Sequence, residues 1–119
     1  MTTPSPDDPA SRPPSKAELR RAALAARDGL SAEVRAAAAR AVAATEALPL
    51  LPAGTVVAGY HPIRSELDPR PLMRRLAGLG ARLVLPAVGA DGETLAFRLW
   101  REDDALVAAA FGLLEPADR

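Results

Sequence analysis

The chain has 119 residues, of which 15 are lysine or arginine and 15 are aspartate or glutamate, so its formal net charge is zero. That length suffices for one domain with a modest core, and the zero net charge removes any bulk attraction to nucleic acid or to an anionic membrane. The sequence contains no cysteine, which excludes a disulfide framework, a thiolate zinc site and a cysteine nucleophile within it and fits a reducing, cytoplasmic setting.

Residues 1–14, MTTPSPDDPASRPP, are rich in Pro, Ser and Asp. They have no apolar stretch of signal-peptide type and too little apolar content to offset ordering entropy, so a disordered tail is expected. Ser15 and Glu18 have the S-x-x-E spacing of a capping box and start a first helix that Asp28-Gly29 ends. Ser31 caps a second helix to about Leu48, with Val34, Ala38, Ala41 and Val42 on its apolar face; Pro49 and Pro52 stop it. The texture then changes to β-rich. Residues 55–60, TVVAGY, read as a buried strand, and HPIRSELD follows as a loop. Asp68-Pro69 reads as N-cap and first residue of a third helix, bearing Leu72, Met73, Leu76 and Leu79 and ending at Gly78 and Gly80. Residues 82–88 form the next strand, Asp91-Gly92 is a turn, and residues 95–100 alternate as a half-buried strand. A short helix is expected around residues 104–110.

Strand, helix, strand at this spacing is a βαβ unit. The expected class is therefore α/β: N-terminal helices, then βαβ units of an open, mainly parallel sheet in three αβα layers. Two or three strands make a small sheet for helices on both faces. Residues 15–119 thus read as the amino-terminal portion of such a domain. No repeat, P-loop, G-x-G-x-x-G or serine triad pattern is present, and no apolar run reaches membrane-spanning length.

Lys16, Arg20 and Arg21 fall in the first turns of the first helix. The N-terminus of a helix already carries partial positive charge, so cations there are mildly unfavourable unless an anion faces them. A polyphosphate would suit a lysine point charge and an arginine fork; on spacing alone, a solvated basic face paired with Glu18 or nearby acids is the favoured reading. Glu66 lies in the loop leaving the first strand, where open α/β sheets bind ligands. It reads either as an acceptor for ligand N–H groups or as a loop carboxylate paired with Arg64 or Arg70. His61, the only histidine, lies near the same mouth and makes no metal site by itself.

These segments together resemble 5-formyltetrahydrofolate cyclo-ligase, also called methenyltetrahydrofolate synthetase. The resemblance rests on KAELR at 16–20, Arg27, YHPIRSELD at 60–68, RLVLPAV at 82–88, LAFRLW at 95–100 and FGLLEP at 111–116, in that order. It implies an enzyme that uses MgATP to convert 5-formyltetrahydrofolate into 5,10-methenyltetrahydrofolate, releasing ADP and phosphate. Lys16 and Arg20 match the family's amino-terminal ATP contacts. Glu66 matches its folate-binding glutamate, and His61 falls at a neighbouring substrate position where the family often has a hydrophobic residue. No catalytic residue and no metal ligand is carried over; magnesium enters with ATP. The implied partner is the folate substrate, with no nucleic acid or membrane, and the expected state is a monomer. Pro69 replaces a frequent threonine. The family's glycine-rich segment ending in Tyr-Tyr-Asp-Arg is not in this sequence, so a fragment is expected. A non-catalytic remnant that binds folate or a partner without turnover, and an unrelated α/β module, stand as alternatives.

Overall fold

The computed structural model describes residues 12–89, 91–109 and 114–117, and the chain divides into two units, one ending at Leu30 and one starting at Ser31. Of the tail expected over residues 1–14, residues 1–11 lie outside the described residues.

The first unit contains helix α1 (Lys16–Asp28). Ser15 Oγ accepts the Glu18 N–H at 3.1 Å, the hydroxyl half of the expected capping box. The Gly29 N–H closes the helix on the Ala25 carbonyl at 3.0 Å. No residue of α1 is buried.

The second unit opens with the same device: Ser31 Oγ accepts the Val34 N–H at 3.1 Å and starts α2 (Ala32–Ala43). This helix ends short of the expected Leu48. Arg75 Nη1 donates to the carbonyls of Ala43 at 2.8 Å and Thr45 at 2.7 Å, and the Thr45 hydroxyl accepts the Ala47 N–H at 3.2 Å. Carbonyls at a helix C-terminus have no helical partner, and an arginine that takes them fixes the stop. Val34 and Val42, expected on the apolar face, are exposed, and Ala39 is the buried residue of α2.

Strand β1 (Val56–Ala58), helix α3 (Arg70–Gly78) and strand β2 (Arg82–Val88) form the expected βαβ unit, with β1 and β2 parallel and Val57 opposite Leu83. Gly80, at φ 99°, takes the chain out of α3 in a conformation that an L side chain strains to adopt. Strand β3 (Leu95–Leu99) pairs antiparallel with β2, Leu85 opposite Arg98. The α/β class stands, and the sheet is mixed, in the order β1-β2-β3. The Asp91-Gly92 turn makes the difference, because so short a link permits a hairpin but no parallel crossover.

Strands β4 (Leu106–Ala108) and β5 (Leu114–Pro116) form a second, antiparallel pair. Residues 106–108 of the helix expected near residues 104–110 are therefore strand, and residue 110 lies outside the described residues. Asp104 Oδ2 accepts the Arg101 N–H at 2.8 Å, and the Asp104 N–H returns to the Arg101 carbonyl at 2.8 Å, which makes a tight turn. A seven-residue helix is too short to offset its own nucleation, and strand pairing prevails.

The main core cluster lies on one face of the β1-β2-β3 sheet: Met73 of α3 packs with Leu83, Leu85 and Trp100, and Val57 and Leu106 border it; Val84, on the other face, is buried as well. The Trp100 indole Nε1 is buried without a hydrogen-bond partner among the described residues. Residues directly opposite in a ladder share a face, so Leu95, Phe97 and Leu99 lie on the other side with Val84, Pro86 and Val88. They remain 61%, 56% and 53% exposed. The alternation expected over residues 95–100 is present, but it is Trp100 and half-buried Arg98 that turn inward.

Candidate functional site

The loop that leaves the carboxyl end of β1 and enters α3 is braced at several points. Gly59 opens it. A Cβ there would stand 2.6 Å from the Met73 Sδ, so the missing side chain is what lets buried Met73 pack against the strand's exit. The Tyr60 hydroxyl donates to the Leu67 carbonyl at 2.8 Å and ties the loop's two ends. Between them the Ile63 N–H donates to Glu66 Oε1 at 2.8 Å, while the Glu66 N–H donates to the Ile63 carbonyl at 3.1 Å. This reciprocal pair fixes the carboxylate and leaves Oε2 without a partner among the described residues. Arg64, inside that turn, has φ 53°, a left-handed conformation uncommon for a residue with a side chain.

Glu66 pairs with neither Arg64 nor Arg70. Arg70 is taken by Asp68: its Nε and Nη2 each reach an Asp68 carboxylate oxygen at 2.8 Å, and its N–H donates to Oδ1 at 2.9 Å. The last non-helical residue is Pro69, one position beyond the expected N-cap, yet Asp68 still satisfies the first helical N–H. The guanidinium of Arg70 holds the Asp68 carboxyl below its ordinary range, and Asp68 raises Arg70 in return.

Within the second unit, Pro62, Arg64, Glu66 and Asp68 of the loop face Arg35, Ala36, Ala39 and Arg40 of α2 across a cavity of about 330 Å³. Positions 32, 35, 36, 39 and 40 follow helical spacing, and alanine at three of them lets the loop come close. Arg35 and Arg40 were not singled out in the sequence. Their signal was there, two arginines flanking a small-residue stripe, but nothing in one sequence says what that stripe faces. A larger cavity, about 640 Å³, lies where β2 begins and β3 ends, against α3; it is lined by Met73, Trp100 and Arg82, and by none of the four expected site residues.

His61 is half-buried in the same loop as Glu66 and does not line the 330 Å³ cavity. Lys16 and Arg20 stand exposed on α1, one turn apart, and join no ion pair among the described residues. Among the described residues there is no group of three His, Asp or Glu side chains placed to hold a metal ion, and no helix long and apolar enough to cross a membrane.

No protein-family model matches the chain, and no curated protein matches it at a significant level. Among solved structures the chain is similar to 5,10-methenyltetrahydrofolate synthetase of Aquifex aeolicus, determined by NMR, with a TM-score of 0.67 and 30% sequence identity over 87% of this chain. It covers 52% of that protein, so the α/β fold described above corresponds to about half of the synthetase's length.

Proposed function

We propose that this chain carries the folate-binding loop and the amino-terminal ATP contacts of a 5-formyltetrahydrofolate cyclo-ligase, a cytoplasmic enzyme of one-carbon metabolism. The observation that carries the reading is Glu66, held by the Ile63 N–H beyond the carboxyl end of β1, in a fold similar to the Aquifex synthetase. Ligands of open α/β sheets bind at this end.

In the proposed reaction the formyl oxygen of 5-formyltetrahydrofolate attacks the γ-phosphorus of MgATP and ADP leaves. N10 then attacks the activated formyl carbon, loses its proton, and phosphate departs as the N5–C–N10 bridge closes. Glu66 orients the pterin: with Oε1 engaged by its own loop, Oε2 accepts from ligand N–H groups. His61 borders the bound substrate. Lys16 and Arg20 bind the nucleotide's phosphates, lysine as a point charge and arginine as a fork, with the α1 N-terminus adding partial positive charge. Their role is placement and charge stabilisation, which dominate phosphoryl transfer.

Each contact of this kind contributes about 1.5–3 kcal/mol, or roughly ten- to a hundredfold. Glu66→Ala is therefore expected to lower kcat/KM for 5-formyltetrahydrofolate by about that factor, and Lys16→Ala to raise KM for ATP. Absorbance of the methenyl product reads both. Unchanged kinetics in both variants would contradict the assignment. Binding of 5-formyltetrahydrofolate with no ATP consumed would favour the binding-only alternative.

A further inference from the structure

The 330 Å³ cavity holds more positive charge than its own carboxylates offset. Four arginines line it, Arg35, Arg40, Arg64 and Arg70, against Glu66 and Asp68. Asp68 is consumed by Arg70, and Glu66 Oε1 by the Ile63 N–H. Arg35, Arg40 and Arg64 join no ion pair among the described residues. Arg64 is moreover held at φ 53°, a left-handed conformation that favours glycine and disfavours a residue with a side chain. Arg40 and Arg64 are exposed and Arg35 half-buried; an anion placed between such like charges is attracted by all of them, and guanidinium forks match oxyanions with two or more oxygens.

We propose that Arg35, Arg40 and Arg64 form a binding site for a dianionic oxyanion group beside Glu66. Two groups of the proposed reaction have this chemistry: the phosphoryl group in transfer to the formyl oxygen, and the paired carboxylates of the folate's glutamyl tail. The site itself is argued from the cavity; only the choice between these two sources rests on the cyclo-ligase reading.

Thermal unfolding of the full chain at fixed ionic strength tests it, with inorganic phosphate, glutarate and acetate as probes. The expected result is a saturable rise in Tm with phosphate or glutarate and none with acetate. Arg35→Gln with Arg40→Gln should weaken that response at least about tenfold, as expected for lost charge-assisted bonds. Arg40→Lys, which keeps the charge and loses the fork, should weaken it less and guards against a variant that merely misfolds. Arg101→Gln, outside this cavity, should respond as the parent does. A response to phosphate alone identifies the phosphoryl source, and one to glutarate alone the glutamyl tail. Equal shifts with acetate, or an undiminished response in the folded double variant, would overturn the site. Neither result bears on whether Glu66 binds 5-formyltetrahydrofolate, which direct titration with that ligand measures separately.

Discussion

Asp91 holds the turn between β2 and β3 with one carboxylate. Oδ1 accepts the N–H groups of Glu93 at 3.0 Å and Thr94 at 2.8 Å, and the Thr94 hydroxyl donates to Oδ2. The Thr94 hydroxyl, then these backbone donors, lower its pKa from 3.8 to about 2. A carboxyl depressed in the folded state contributes stability that is fully present above its unfolded value and lost as pH falls through its folded one. Asp68, lowered by Arg70, acts in the same direction. Tm should therefore fall between pH 4 and pH 2 for this pair of reasons, and Asp91→Asn should flatten part of that slope; parallel Tm profiles of parent and variant would refute the role. The turn was legible because Asp-Gly has few other uses between alternating apolar runs. Glu66 was legible as a residue placed beyond a strand. Its partner was not, since Arg64 and Arg70 are both near in sequence, and the choice of the Ile63 N–H depends on how Arg64 turns the backbone.

Glu115 fastens the β4–β5 pair to the main sheet. Its Oε2 accepts the Val88 N–H at 2.9 Å, its Oε1 lies 3.8 Å from Arg98 Nη1, and Arg98 also donates to the Pro116 carbonyl at 2.9 Å. The backbone register explains why that N–H is available. The Trp100 N–H bonds the Leu83 carbonyl at 3.0 Å and the Gly89 N–H bonds the Thr94 carbonyl at 2.6 Å, so the odd-numbered residues of β2 bond β3. Pro86 and Val88 face the other side, beyond the last β1–β2 pair at Val84. Proline, which has no N–H to give, is tolerated there, and Glu115 takes the one N–H that remains. Glu115→Ala leaves the half-buried Val88 N–H without its acceptor and should cost about 1–3 kcal/mol in urea unfolding, with Glu115→Gln restoring most of it. Equal loss in both variants would mean that charge, rather than the acceptor, matters. This contact joins residues far apart in sequence, and the β4–β5 pairing it supports makes strand of residues 106–108, for which the sequence predicts a helix. The βαβ unit was legible because it is local: apolar runs of strand length flank a helix whose breakers, Pro69 and Gly80, sit at its two ends.

At the scale of the whole second unit, the sheet has one covered face and a second that is covered at Val84, 8% exposed, and open along β3. Leu85, 1% exposed, sits under α3, whereas Phe97 is 56% exposed on the far side. Leu85→Ala should cost about 2–5 kcal/mol and Phe97→Ser no more than about 0.5 kcal/mol; comparable losses would show that the β3 part of the far face is packed as well. An apolar strand face reads as buried in sequence because the pattern records that a face is apolar, not what covers it. The same limit hid Arg35 and Arg40. The proposed function rests on Glu66 as a ligand for a reduced folate. Calorimetric titration of the chain with 5-formyltetrahydrofolate, alongside Glu66→Gln of equal Tm, tests this most directly. The parent is expected to bind saturably and the variant at least about tenfold more weakly. No binding by the parent, or equal binding by both, would contradict that role of Glu66.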